Sequence, residues 1–233
     1  MNNTRLDRFI SKKLGIKRQA VRLLLAQHRV CVNGAIASDI NQTIDNFSNI
    51  EFDGKPLQAN TAYYIALNKP AGVVSATKDK QHKTVIDLLS YPFKNELHIV
   101  GRLDLNSTGL LLLTNDSRWS RKLISPENKI SKHYRVKLEK PLSEEYVEAF
   151  DEGMYFSYED ITTRPVELKI INKYVAELAL IEGRYHQIKR MFGRFRNPVL
   201  DLHRFAIGNL HLGKDLEPGE SKQLTESEVA AIF

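Results

Sequence analysis

Between Gly101 and Gly109 the sequence places a guanidinium, a carboxylate and a run of amide and hydroxyl groups, in Arg102, Asp104, Asn106, Ser107 and Thr108. It then runs straight into the four leucines Leu110–Leu113. A polar loop seated on a buried strand is a way of fixing an exposed acid, because the rigid strand sets the geometry that the loop presents. An acid held like this suits proton abstraction or nucleophilic attack. Taken alone, Asp104 is equally an ordinary loop-capping aspartate, and the pattern by itself leaves both readings open.

Two further segments are unusual in composition. Leu67-Asn68-Lys69-Pro70-Ala71-Gly72 reads as a rigid turn with a cation at its tip, or as a plain hairpin corner. The stretch from Glu182 to Phe192 leaves a strand at Gly183 and enters a helix whose apolar stripe is Ile188, Met191, Phe192 and Phe195. Gln187, Arg190 and Arg194 share the opposite side. Lys189 lies beside the stripe, where a cation partly shielded from water can pair with a carboxylate and hold it ionised. The alternative for Lys189 is a phosphate clamp or a solvated helix face. There is no Gly-rich phosphate loop, dinucleotide fingerprint, paired C-x-x-C or H-E-x-x-H, and no two of the seven histidines stand four apart. Nucleotide cofactors and structural zinc are therefore unsupported, and no metal centre is expected.

The elements that must carry these residues fall into two textures. In the first, Leu6, Phe9, Ile10 and Leu14 have helical spacing behind Thr4-x-x-Asp7, a candidate capping box. A second helix is predicted over about Lys17–Gln27, with Ala20, Val21, Leu24 and Leu25 inward. Val30–Val32, Asn33-Gly34 and Ala35–Ala37 read as a hairpin; a strand at Ile50–Phe52 closes the unit and Gly54–Thr61 is the candidate linker. Beyond it come short strands, expected at Tyr63–Leu67, Gly72–Ala76, Leu110–Thr114, Tyr134–Leu138, Val166–Ile171 and Val175–Ile181. The few helices are expected at Val85–Ser90, Trp119–Ile124, from Ser143 to Gly153, and after Thr225-x-x-Glu228. The pattern predicts an α+β fold with a largely antiparallel sheet, divided into residues 1–58 and 62–233.

The net charge of +6 is unevenly spread: the first thirty residues hold eight Lys or Arg against Asp7 alone. Basicity confined to one short segment is the footprint expected for a polyanionic partner, a solvated charged face being the alternative. The single Cys31 rules out an internal disulfide, the amino terminus lacks the apolar stretch of a signal peptide, and no run reaches transmembrane length. These features point to the cytoplasm, with no membrane partner, and the lack of an unassigned apolar segment points to a monomer.

Taken in order, Asn68-Lys69-Pro70-Ala71-Gly72, Gly101-Arg102-Leu103-Asp104 with Ser107-Thr108-Gly109, and Glu182–Met191 resemble the signature segments of the bacterial ribosomal-RNA pseudouridine synthases. Trp119-Ser120 and His186-Gln187 are similar to the small-subunit branch, the RsuA family. Arg5–Ile10 through Val32-Asn33-Gly34 resemble the S4 RNA-binding domain that precedes the catalytic domain there. The resemblance implies that Asp104 is the essential aspartate, that Tyr134 stacks on the target base, and that Lys189 is the basic partner of the aspartate. It further implies that Arg102 occupies the space left when the uridine leaves its stack. With it come candidate contacts: Ile188 as a pocket wall, Arg190, and, on the amino-terminal unit, Arg5, Lys12, Lys13, Lys17, Arg18, Arg22 and Arg29 on RNA phosphates. No cofactor is implied. The implied substrate is small-subunit ribosomal RNA, within a partly assembled ribonucleoprotein. The rival readings are a synthase acting on large-subunit or transfer RNA, a non-catalytic ribosome-assembly protein, and a base-excising glycosidase.

Overall fold

The structure, a computed structural model, describes residues 3–233, and the chain divides at Ala62/Tyr63 into two compact units. In the amino-terminal unit, β1 (Thr4–Arg5) pairs with β4 (Thr43–Ile44), and helices α1 (Leu6–Leu14) and α2 (Arg18–Ala26) precede a sheet of β2 (Val30–Val32), β3 (Ala35–Ile36), β5 (Ile50–Phe52) and β6 (Lys55–Gln58). Leu6, Ile10, Val21, Leu25, Val30 and Ile50 close its core. Both turns of the sheet use positive φ, at Asn33-Gly34 (51° and 79°) and at Asp53-Gly54 (50° and 72°), the geometry that matches the twist of the flanking strands.

Three expectations for this unit are corrected. Thr4 does not cap α1; it is drawn into β1, while the Asp7 carboxylate accepts from the Arg5 guanidinium (2.8 and 3.1 Å) and the Arg8 amide, which hold its pKa low. Ala20 faces solvent, because the buried stripe of α2 is the narrower Val21 and Leu25. Half of the expected linker is β6, an edge strand paired antiparallel with β5, and irregular backbone begins only after Gln58.

In the second unit the main strands are β7 (Tyr64–Lys69), β8 (His98–Val100), β9 (Thr108–Thr114), β10 (Lys132–Leu138), β13 (Leu168–Asn172), β14 (Val175–Leu180), β15 (Val199–Ile207), β16 (Leu210–His211) and β17 (Ser221–Gln223). They form one nine-stranded sheet in the order β13-β14-β10-β15-β9-β7-β17, with β16 beside β15 and β8 beside β9. The named pairings are antiparallel except β9 with β15, which run parallel at His203/Thr108 and Arg204/Gly109. The all-leucine run of β9 is explained by burial on both faces: Leu111 and Leu113 join Ile65, Leu67 and Val85 on one side, Leu110 and Leu112 join Trp119, Leu123 and Ile207 on the other. Helices α3 (Ser117–Ile124), α4 (Glu144–Glu152), α5 (Gln187–Gly193) and α6 (Glu226–Ala231) cover the sheet, and a short hairpin, β11 (Tyr155–Phe156) and β12 (Ile161–Thr162), follows α4. The Thr225 to Glu228 capping box is formed.

Two further expectations fail here. Gly72–Ala76 is no strand but a bend with one bridge, Val74 to Thr84, and Val85–Ser90 is a chain of turns that buries Val85, Ile86 and Leu89 without forming a helix. The strand β15 went unpredicted, and Arg204 is the reason: a guanidinium at an inward position breaks the apolar alternation that would have marked it.

The parallel contact is unusually close. A Cβ on Gly109, whose φ is +102°, would lie 2.2 Å from the Arg204 carbonyl oxygen. We expect Gly109→Ala to cost more than about 3 kcal/mol in urea unfolding, from clash and backbone strain together. Gly15 has a similar φ of +68° but no atom within 4 Å, so Gly15→Ala should cost only about 1 kcal/mol. Equal losses at the two sites would contradict the close approach.

Candidate active site

The loop carrying Asp104 is fastened on both sides by polar groups sunk into the core. Lys69 is not at a turn tip; its side chain is 0% exposed, and its Nζ donates to the carbonyls of Pro70 (3.0 Å), Leu105 (3.1 Å) and Ser107 (2.7 Å). The Pro-Gly turn that follows serves to bring this ammonium under the loop, since the Gly72 amide also donates to Leu105 O (2.9 Å). Ser75 secures the preceding residue, its Oγ donating to Leu103 O at 2.7 Å and accepting from Leu103 N at 3.1 Å. Burial lowers the pKa of Lys69 to about 8, against the opposing pull of Asp104.

The second wall comes from the turn between β14 and α5. Glu182 is buried at the strand end and accepts from Gln187 Nε2 (2.7 Å), Arg164 N (3.1 Å) and Arg184 Nε (3.1 Å). Gln187 therefore points inward rather than sharing a solvent face with Arg190 and Arg194. His186 caps α5 with a left-handed backbone, φ +47°, an uncommon conformation for a non-glycine residue that the surrounding bonds must hold in place.

Where the walls meet, Lys189 Nζ lies 3.0 Å from Asp104 Oδ2 and His186 Nε2 lies 3.3 Å from Asp104 Oδ1, all three side chains about one-third exposed. The ion pair anticipated for Lys189 is thus formed. The pair lies in a cleft that opens to solvent. Its lining includes Arg102, Leu103, Tyr134, Ile188 and Leu202. Among the described lining residues Asp104 is the one carboxylate. Tyr134 is partly buried at the junction of two core clusters, which gives it a fixed ring plane.

Behind Tyr134 stands Arg204, buried, with Nε donating to Leu110 O at 2.8 Å, Nη1 3.5 Å from Tyr134 Oη, and Nη2 without a hydrogen-bond partner among the described residues. Its neighbour His203 is 2.9 Å from Thr108 Oγ1. Neither residue was singled out from sequence, and a charged residue in an unrecognised strand offers little to find it by.

Several expected site residues are placed differently. Arg190 forms a bidentate pair with Glu159 (2.5 and 2.6 Å) and lies 3.8 Å over the Phe156 ring, so its guanidinium already has a structural load. Trp119 and Ser120 belong to the core and to a bond with His98 (2.8 Å), outside the cleft lining. In the amino-terminal unit Arg5 and Arg29 are paired with Asp7 and Asp53, whereas Lys12, Lys13, Lys17, Arg18 and Arg22 are exposed.

A protein-family model described as RNA pseudouridylate synthase matches residues 63–193. The chain is 44% identical to the ribosomal small subunit pseudouridine synthase A of Pseudomonas aeruginosa, over 98% of this chain and 100% of that protein. It is 40% identical to the protein of the same name from Escherichia coli K12, over 98% of this chain and 99% of the relative. A crystal structure of a pseudouridylate synthase superposes with a TM-score of 0.72 at 38% identity, covering 98% of this chain and 99% of that one.

The buried ammonium gives a test of the loop fastening. Unfolded, Lys69 titrates at its ordinary 10.5, and folded at about 8. Between those values the unfolded chain holds more protons, so this residue's contribution to stability rises with pH, by on the order of 3 kcal/mol across the window. Urea unfolding of the parent and Lys69→Met should show a stability difference that is flat below pH 7 and grows from about pH 8 to 10.5. A difference flat throughout would mean that the ammonium is not buried as described.

Proposed function

The chain belongs to the RNA pseudouridylate synthase family, and from that premise we propose that Asp104 is its catalytic carboxylate, acting on a uridine held between Tyr134 and Ile188. The enzyme isomerises a uridine of small-subunit ribosomal RNA to pseudouridine. The observation that carries the assignment of Asp104 is its 3.0 Å ion pair with Lys189 inside the cleft.

The reaction breaks the bond from uracil N1 to ribose C1′, turns the base, and joins C5 to C1′; the C5 hydrogen leaves as a proton and N1 gains one, with no redox change. The uridine must first leave its stack, at a cost of roughly a few kcal/mol, which an aromatic face and backbone contacts offset. Tyr134 supplies that face, its ring plane fixed by the core and its hydroxyl approached by Arg204. Arg102, exposed at the mouth of the cleft, takes the vacated place in the RNA. Asp104 acts either on C1′ as a nucleophile or on the C2′ proton as a base; each begins with the carboxylate that Lys189 pairs and the loop positions. The base is retained because the described lining of the cleft offers no second carboxylate to activate water, which glycoside hydrolysis ordinarily uses.

We assign the amino-terminal unit to RNA binding as an S4-like domain. Its support is the cluster of exposed Lys12, Lys13, Lys17, Arg18 and Arg22 along α1, α2 and the turn between them, a surface that reads phosphates rather than sequence. In this reading the protein acts as a monomer, on small-subunit RNA in a partly assembled ribonucleoprotein.

The assay is tritium release from C5-tritiated uridine in unmodified small-subunit RNA, presented bare and with early-binding ribosomal proteins. The parent should release about one equivalent per RNA. Asp104→Asn should release none while keeping its RNA affinity within a few-fold; a parallel loss of affinity would overturn the catalytic assignment. For the amino-terminal surface, replacing Lys12, Lys13, Lys17, Arg18 and Arg22 by Gln should flatten the dependence of log affinity on log salt. The slope should fall by about 0.7–0.9 for each side chain on a phosphate, and an unchanged slope would remove this unit from the RNA contact.

A further inference from the structure

Tyr185 is an aromatic side chain without a structural duty. It is 76% exposed, and one face of its ring is covered by the His186 imidazole at 3.9 Å and 19°. His186 in turn reaches Asp104 at 3.3 Å. A continuous path of two stacked rings therefore leads from the reacting carboxylate to the rim of the cleft, and the outer ring presents a flat apolar face to solvent.

The backbone beneath it is locked. Arg190 Nη1 lies 3.4 Å from Tyr185 O while the same guanidinium holds Glu159 and covers Phe156. On the other side Arg184 and Gln187 are tied to the buried Glu182. A large exposed ring on a fixed backbone loses little freedom on binding, which is the condition for a stacking platform. Arg184 beside it and Arg102 are exposed cations that also line the cleft, where a phosphate backbone would be attracted.

Removing one uridine from a stack leaves its neighbour with a bare face, and an aromatic ring beside the cleft can cover it. We propose that Tyr185, backed by His186, is a stacking subsite for the unpaired nucleobase adjacent to the target uridine, recognising the base by its face rather than its edge. This deepens the reading of the Asp104 cleft as the uridine site, and it rests on that reading. Every base has a stacking face, so the subsite contributes affinity and register without selecting sequence.

The experiment uses the full-length chain and small-subunit RNA in which each nucleotide flanking the target is in turn made abasic. On intact RNA, Tyr185→Ala should raise KM about tenfold or more, with single-turnover tritium release at saturating RNA reduced far less, and Tyr185→Phe and Tyr185→Trp should retain the parent KM. On RNA abasic at one of the two flanking positions the parent and Tyr185→Ala should become alike. Equal losses on intact and on both abasic RNAs, or an equal loss in Tyr185→Phe, would overturn the proposal. 2-Aminopurine at the same position separates this from failure of the cleft assignment: its fluorescence should be quenched on binding to Asp104→Asn, which cannot turn over, and not to the Asp104→Asn, Tyr185→Ala double variant. Quenching that survives in the double variant would also overturn it.

Discussion

Asp104 and Lys189 belong to segments far apart in sequence and must meet at 3.0 Å, in a cleft that opens to solvent. Two loops brought together by nothing but this pair would not hold such a distance, because a partly exposed ion pair is a weak constraint. What holds it is the sheet beneath. Asp104 is tethered to the start of β9, Lys189 to the helix that follows β14, and β10 and β15 lie between those two strands. The parallel contact of β9 with β15, tight enough to require Gly109, sets how closely the loop can approach the rest of the site.

Several polar groups sit in the core to make this possible. Lys69 and Arg204 are buried cations without a buried acid against them; both instead donate to backbone carbonyls of the segment from Leu105 to Leu110. The Lys69 ammonium satisfies two carbonyls of that segment together with Pro70 O, where an apolar side chain would leave them unpaired, at a cost of about 1–3 kcal/mol for each one kept from water. Glu182 does the complementary work for the opposite loop, accepting from amide and guanidinium donors. The site is thus set by groups that lie outside the cleft lining.

How much of this was legible in the sequence follows from the kind of signal each element gives. The order of α1, α2 and the Asn33-Gly34 hairpin was visible because amphipathic spacing and turn chemistry are local. Leu110–Leu113 was visible as a strand because β9 is buried on both faces. Lys189 beside an apolar stripe was consistent with pairing to a carboxylate but equally with a phosphate clamp or a solvated face, and Asp104 as its partner came from the family resemblance. Lys69, Arg204 and Gln187 were misread or missed because a polar residue in sequence signals solvent by default, and only tertiary structure reveals that its partners are carbonyls or a carboxylate from elsewhere in the chain. The Thr4 box failed for a related reason, as pairing with β4 claimed the backbone that would have capped the helix.

A cleft with a single carboxylate also constrains what can follow once the glycosidic bond is loosened. Hydrolysis would need water delivered to C1′ and a group to take its proton, and among the described lining residues Asp104 is the one carboxylate, already engaged with Lys189 and His186. The remaining lining is mixed, with polar groups such as Arg102, Ser107 and Gln187 and an apolar part, Leu103, Ile188 and Leu202, beside the Tyr134 ring. In the proposed reading the apolar part would hold a detached uracil by its faces, since stacking contacts on an apolar surface have no strong in-plane preference, whereas edge hydrogen bonds would fix one orientation. With Asp104 as the proposed catalytic carboxylate, isomerisation places opposite demands on two parts of the same site: the carboxylate must be held rigidly at C1′, while the base must rotate. The buried polar scaffold around the Asp104 loop fits the first demand and the apolar part of the lining fits the second.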